Sequence, residues 1–184
     1  SGTMSVPTQT SQSIIYTTQY RLLVYSDHDT PVPSKVPDEH WYDAGALVSA
    51  SVTSPADDDG AGTRYRCTGY TGTGNAPSGS GTSTSFNIEM PSTLTWNWIA
   101  QYYLTLATNP PSVTVPSGEG WYDADAIVSI FTSQYVVSDS SRYHFNEWTT
   151  DDMTEIADPS AYFTTVLMDK AKTVTANYGM QYLV

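Results

Sequence analysis

The stretch Trp41-Tyr42-Asp43-Ala44-Gly45-Ala46-Leu47-Val48-Ser49 recurs as Trp121-Tyr122-Asp123-Ala124-Asp125-Ala126-Ile127-Val128-Ser129, so any fold for this chain has to accommodate one blueprint written twice. The two copies start 80 residues apart, at positions 41 and 121. Other pairs fall at nearly the same offset: Gln19-Tyr20 with Gln101-Tyr102, Arg64-Tyr65 with Arg142-Tyr143, and Thr93-Leu94-Thr95 with Thr173-Val174-Thr175. A period this long, containing its own strands and turns, describes a small domain duplicated rather than a short solenoid repeat. Units of this size lie near the lower limit for an independent core, so contacts between neighbours are expected to add stability. The expected organisation is repeat 1 over residues 19–100, repeat 2 over 101–180, and a third repeat opening at 181–184, where Gln181-Tyr182 restates the start. Residues 1–18 read as a polar lead-in whose end, Ile14 to Thr18, has the look of the last strand of a preceding unit. Ser1-Gly2-Thr3-Met4 reads as a cloning remnant rather than a signal.

Within each unit the apolar period is two, which is the period of a half-buried strand. Tyr20, Leu22 and Val24 share one face, as Tyr102, Leu104 and Leu106 do in the second copy. A proline-rich connection follows, Pro31 to Pro37 and Pro110 to Pro116, suited to lying along a sheet edge. In the Trp-Tyr-Asp block, Asp43 is expected to accept hydrogen bonds from turn amides, while Gly45 and its counterpart Asp125 take a left-handed backbone. Val48, Ala50 and Val52 then alternate with Ser49, Ser51 and Thr53. A variable loop over 54–63, answered by a shorter one around 138–141, leads to a third strand at Arg64 to Thr68 or Arg142 to Asn146. A long Gly, Ser and Thr stretch, Gly69 to Ser83, precedes the face Phe86, Ile88 and Met90, which is aligned with Thr164, Val166 and Met168. The last strand carries Leu94, Trp96 and Trp98, matched by Val174, Ala176 and Tyr178. The fold class is therefore all-β: two tandem small antiparallel β domains of about five strands each, separated only by Ile99-Ala100.

Composition narrows the functional classes. A formal net charge of −12 repels phosphate backbones and anionic lipid heads, which disfavours nucleic-acid binding and membrane-surface binding. No run of about 18 apolar residues is available to cross a bilayer as a helix. The single Cys67 allows no internal disulfide, and a buried apolar role for it is favoured over a nucleophilic one because only Arg64 and Arg66 are basic nearby. Abundant Thr, Ser, Tyr and Gly with few Lys suit a secreted β protein.

Catalytic patterns are not found. His28, His40 and His144 lack zinc-ligand spacing, and there is neither a Gly-x-Ser-x-Gly elbow nor a phosphate-cradling Gly-Lys loop. Asp57-Asp58-Asp59-Gly60, Asp27-His28-Asp29, and Asp151-Asp152 with Glu155 offer oxygens for calcium, yet fit no established loop, and solvated acidic loops explain them more simply. The five Trp and fourteen Tyr could stack on sugars. Core packing is the simpler reading for Trp41, Trp121, Trp96 and Trp98, and for Tyr20, Tyr102, Tyr42 and Tyr122. Lys170 and Lys172 with Asn177 are the nearest candidates for a side-chain crosslink, disfavoured by their placement on one strand. No catalytic, cofactor-binding or metal residues are therefore assigned.

Gln101-Tyr102-Tyr103-Leu104-Thr105, Gly120-Trp121-Tyr122-Asp123-Ala124, Arg142-Tyr143-His144-Phe145, and Met168-Asp169 with Lys172-Thr173-Val174-Thr175-Ala176-Asn177-Tyr178 together resemble the divergent InlB B-repeat family of bacterial and archaeal surface proteins. The resemblance runs from Gln19 to Met180. It implies an extracellular or cell-surface all-β module, β-grasp-like or sandwich-like, acting as spacer, stalk or adhesion segment with neighbouring repeats of the same chain as partners. It brings no catalytic residues and no cofactor. Tyr70 stands where the family has Trp, and Cys67 where an aromatic is expected. The alternative is a carbohydrate- or protein-binding module, including one accessory to a secreted hydrolase.

Overall fold

The computed structural model describes residues 15–33, 40–138, 141–151 and 153–182, and they are nearly all β. The lead-in up to Ile14, residues 34–39 with Pro37, Asp139-Ser140 of the expected short loop, Asp152, and Leu183-Val184 lie outside the described residues. Twelve strands follow in chain order: β1 Gln19–Tyr25, β2 His40–Asp43, β3 Ala46–Ser51, β4 Thr63–Thr73, β5 Ser83–Ile88, β6 Ser92–Asn109, β7 Gly120–Asp123, β8 Ala126–Phe131, β9 Tyr135–Ser138, β10 Ser141–Thr149, β11 Phe163–Met168 and β12 Lys172–Tyr182. This is more than five per half. β2 and β7 fall outside the expected five; each is separated from the next strand by the expected turn, where Gly45 and Asp125 have φ of 80° and 64°, as their residue types favour.

Eight of these strands form one sheet built around β6. β6 is 18 residues long and runs without interruption through Ile99-Ala100, where the boundary between repeats was placed. Thr93 to Thr95 pair with both β1 and β4, Gln101 and Tyr102 with both β4 and β7, and Leu104 with both β7 and β12. One edge of β6 therefore meets β4 and then β12, while the other meets β1 and then β7. The expectation of a purely antiparallel arrangement is corrected here. β1 runs parallel to β6 from Leu22–Ser92 to Tyr25–Thr95, and β12 runs parallel to β6 from Lys172–Leu104 to Asn177–Asn109. Each parallel pair joins the first and last strands of a half, and the long excursion between them supplies the crossover that parallel strands need.

Two separate two-stranded ribbons, β3–β5 and β8–β11, complete the fold. Each turns its apolar face towards the sheet. Val48, Ala50, Phe86 and Ile88 cluster with Leu22, Val24, Leu94 and Trp96, whereas Val128, Ile130, Val166 and Met168 cluster with Leu104, Phe145, Trp148 and Val174. The alternation seen in the sequence thus produces two hydrophobic clusters, and β6 contributes to both.

The ribbons also correct an alignment. Ala46 pairs with Ile88 and Ala126 with Met168, so Met168 corresponds to Ile88 and not to Met90. Ile88 and Met168 are fully buried, while Met90 is exposed in the turn that follows. A second correction concerns Gly69 to Thr73, which extend β4 instead of opening a loop. A Cβ at Gly69 would stand 2.2 Å from the Gly79 carbonyl oxygen, and one at Gly72 the same distance from that of Ala76. Glycine here lets the following loop fold back onto its own strand.

The departures at Tyr70 and Cys67 are compensated. Opposite each other in the register lie Tyr70 and Trp96 in the first half, Trp148 and Ala176 in the second. The indole sits on β6 in the first half, where Tyr70 packs edge-on against it at 5.3 Å, and on β10 in the second, where a small alanine faces it. Cys67 and Phe145 occupy matching buried positions before a bulge present in both halves. Burial pushes the Cys67 thiol up, away from the thiolate, in keeping with its expected apolar role.

Leu104 is fully buried on the segment of β6 that passes between β7 and β12. Leu104→Ala is expected to lower unfolding stability by about 2–5 kcal/mol in urea titration. A loss below about 1 kcal/mol would show that the second cluster does not depend on β6.

Candidate functional site

The polar residues that recur with the repeat meet where the two halves join. Asp123, at the end of β7, is the centre. The amides of the turn behind it are already satisfied, since Ala124 N–H donates to the Ala100 carbonyl and Asp125 N–H to that of Met168. The same holds for Ala44 and Gly45, which donate to Thr18 and Ile88. Asp43 and Asp123 are therefore not the turn caps the sequence suggested. Their carboxylates accept instead from the side-chain amides of Gln19 and Gln101, at 3.0 and 2.9 Å.

At the joint this pair is extended by β4. Arg66 donates to both Asp123 oxygens, with Nε 3.1 Å from Oδ1, and Arg64 Nε donates to Gln101 Oε1 at 3.0 Å. The Arg64 guanidinium lies 4.1 Å from the centroid of the Trp121 ring, and Tyr103 meets the same indole edge-on at 5.3 Å. Antiparallel pairing sets this spacing: Arg64 and Arg66 alternate by two on β4, so both side chains leave one face of the sheet and reach the neighbouring β7 over β6. The Arg66 hydrogen bonds hold the Asp123 carboxyl below the usual carboxylate range, with Gln101 assisting and partial burial opposing.

Half of this arrangement recurs elsewhere. Gln19 and Asp43 carry the amide–carboxylate bond at the start of β1, and Arg142 Nε donates to Gln181 Oε1 at 2.8 Å at the end of β12. The placement of the Trp pair corrects the core assignment. Trp41 is 56% exposed and Trp121 is half-buried beneath Arg64, whereas Trp96 is buried and Trp98 packs against the first cluster. Trp41 and Trp121 occupy matching register positions, opposite Arg21 and Tyr103, but only Trp121 has an arginine of β4 over it. Tyr20, Tyr42, Tyr102 and Tyr122 are partly buried against the two clusters.

An open groove of about 720 Å³ runs beside the joint, lined by Tyr103, Trp121, Thr105, Thr173, Asp58 and Asp151 among others. The acidic stretches are occupied in other ways. Asp57 Oδ2 meets His28 Nδ1 at 2.8 Å, and Asp29 accepts from Thr53 N–H. Asp58 accepts from Gly60, and Asp59 from Ala61 and Thr63, which lowers the Asp59 carboxyl. Among the described residues no group of three His, Cys, Asp or Glu is placed to hold a metal ion. The Lys172 side chain is fully buried on Glu155, Asp169 and the Leu167 carbonyl, while the half-exposed Lys170 faces Asp151 and Glu155. Asn177 bonds to Thr149 and Asn109, so the residues considered for a crosslink have separate partners.

The clasp of Arg64, Arg66, Gln101 and Asp123 escaped the sequence reading. Gln-Tyr and Arg-Tyr were recognised only as markers of the period. Their signal was present: charged and amide side chains that recur with a repeat yet match no catalytic pattern have to serve contacts, either within the unit or between units.

Comparison with protein-family models, with curated proteins and with solved structures returned no match.

Asp123→Asn keeps the shape and removes the charge. Because the folded carboxyl is held low, its contribution is present above the ordinary carboxylate range and disappears as pH falls through the folded value. Both partners are about one-third exposed or more, so about 0.5–1 kcal/mol is expected near pH 7. Melting curves of the two proteins should differ at pH 7 and converge as pH falls well below the ordinary carboxylate range. A difference that grows on acidification would contradict the assignment.

Proposed function

We propose that this chain is a pair of tandem structural repeats of divergent InlB B-repeat type, residues 19–100 and 101–180, serving as a non-catalytic spacer or stalk of an extracellular or cell-surface protein. The observation that carries this reading is the direction of the strands through which tension would pass. In each half the first and last strands lie side by side and parallel. Pulling the start of the first away from the end of the last slides one strand along the other. All hydrogen bonds of the pair then resist together, whereas an antiparallel hairpin pulled at its open end yields one bond at a time.

Tension leaves the first half along β6 and enters the second along the same strand, with no slack residues between. The clasp of Arg66 on Asp123 and Arg64 on Trp121 ties the flanking strands across the same point. The Gln19–Asp43 and Arg142–Gln181 pairs are the two halves of that clasp, which is what a unit needs in order to stack on another like itself. The acidic surface, net −12, keeps neighbouring stalks from adhering indiscriminately.

A glycan- or protein-binding module is the second reading, and the groove beside Trp121 and Tyr103 favours it. Trp121 already has Arg64 over its ring, which reduces the flat surface left for a sugar. A glycan array blank for this chain would remove the carbohydrate form of that reading.

Single-molecule stretching tests the stalk directly. Tension between the ends of the chain should give two unfolding steps of similar force, each releasing just under roughly 260–290 Å for a unit of about 80 residues. Tension applied across β10 and β12 at their Ser141–Tyr182 end peels an antiparallel pair and should open it at clearly lower force. Equal forces in the two directions, or one step for the whole chain, would overturn the proposal.

A further inference from the structure

The two ribbons occupy matching places in the two halves, yet their outer faces differ. On β3–β5 the outward pairs are Ser51–Ser83, Ser49–Ser85 and Leu47–Asn87. On β8–β11 the corresponding pairs, each 80 residues further on, are Phe131–Phe163, Ser129–Thr165 and Ile127–Leu167. Phe131 is 52% exposed, Phe163 59%, Ile127 74% and Leu167 37%. The first half, with Ser51, Ser83 and Asn87 where the second has Phe131, Phe163 and Leu167, shows that the fold does not require apolar groups at three of these four places; only Leu47, opposite Asn87, keeps one. An apolar face that the fold does not need marks a contact surface.

We propose that the outer face of the β8–β11 ribbon docks a second copy of this chain, face to face about a two-fold axis. Three features favour a second copy over other occupants. No residue of Ala126–Phe131 or Phe163–Met168 is charged, so copies that repel elsewhere through their net −12 can approach here. Those same negative charges oppose anionic lipid surfaces. The face is also self-complementary: a Phe pair at one end, an Ile–Leu pair at the other, and a low hydroxyl waist of Ser129 and Thr165 between them. A two-fold axis across the strands sets each Phe pair on the partner's Ile–Leu pair and brings the waists together.

The area fixes the strength. At these exposures the four side chains present on the order of 500 Å², and two such faces approach about 1,000 Å², the lower bound for a specific interface. The dimer is therefore weak and reversible, and it becomes populated where copies are crowded. It would link stalks side by side, since the ribbon lies off the sheet that carries tension.

Sedimentation equilibrium over a wide concentration range tests this. The variant Phe131→Ser with Phe163→Ser takes the residues that the first half carries at the same places, so it is expected to fold; a melting curve checks this. The intact chain should move from 20.1 kDa towards twice that mass as concentration rises, while the double variant stays at the lower value. Ser129→Lys, which sets like charges against each other at the waist, should abolish the rise as well. A constant 20.1 kDa for the intact chain, or equal association of all three proteins, would overturn the proposal. So would a monomeric chain that floats with vesicles of neutral phosphatidylcholine in a Phe131-dependent way, since the occupant would then be lipid. Stretching is done on isolated molecules, so failure here leaves the stalk reading intact.

Discussion

The hydrogen-bond ladders on the two edges of β6 hold the molecule together as one object. Along one edge β6 meets β4 and then β12; along the other it meets β1 and then β7. Its backbone is paired on both edges at Thr93 to Thr95 and again at Gln101 and Tyr102; between them, where the halves meet, β4 alone pairs with it and the Ala100 carbonyl accepts from Ala124 N–H. Neither cluster of side chains can form without its share of this strand: Leu94 and Trp96 point into one, Leu104 into the other. Because the backbone stays extended between them, the two clusters are held at a fixed spacing by peptide geometry. No buried contact between them is needed.

The clasp acts on top of this. Arg64 and Arg66 belong to β4, Trp121 and Asp123 to β7, and the two strands are bridged over β6 by side chains alone. Surface ion pairs of this kind contribute modestly to stability. Their value here lies in orientation, since a bidentate arginine and a cation over an indole both fix angles as well as distances. A joint built this way resists twisting about β6, the one degree of freedom that an isolated strand leaves loose.

The repeated part of the fold was legible because its signals are local and doubled. Period-two alternation located β1, β3 and the last strand of each half, and the left-handed turn at Gly45 and Asp125 followed from residue type. Strand direction was not legible, because parallel and antiparallel partners present the same alternating faces. The exposure of Trp41 was not legible either. An aromatic that recurs reads as core whether it fills an interior or covers a joint, and the difference lies in what β4 brings over it. Ile88 and Met168 were misaligned because the apolar period of two places Met90 on the same face, and only pairing with Ala46 and Ala126 decides where the strand ends. Gly69 to Thr73 read as a loop because glycine is a loop residue by frequency. Here it admits a second segment of backbone.

Two halves sharing one strand predict a definite pattern of amide protection. Hydrogen exchange measured residue by residue along β6 should show no weak point among the amides that face β4: Ile99 and Gln101 should exchange as slowly as Thr95 on one side and Tyr103 on the other. Rapid exchange at Ile99 and Gln101, with slow exchange on both sides, would reveal a hinge between two independent modules and contradict the shared-strand account.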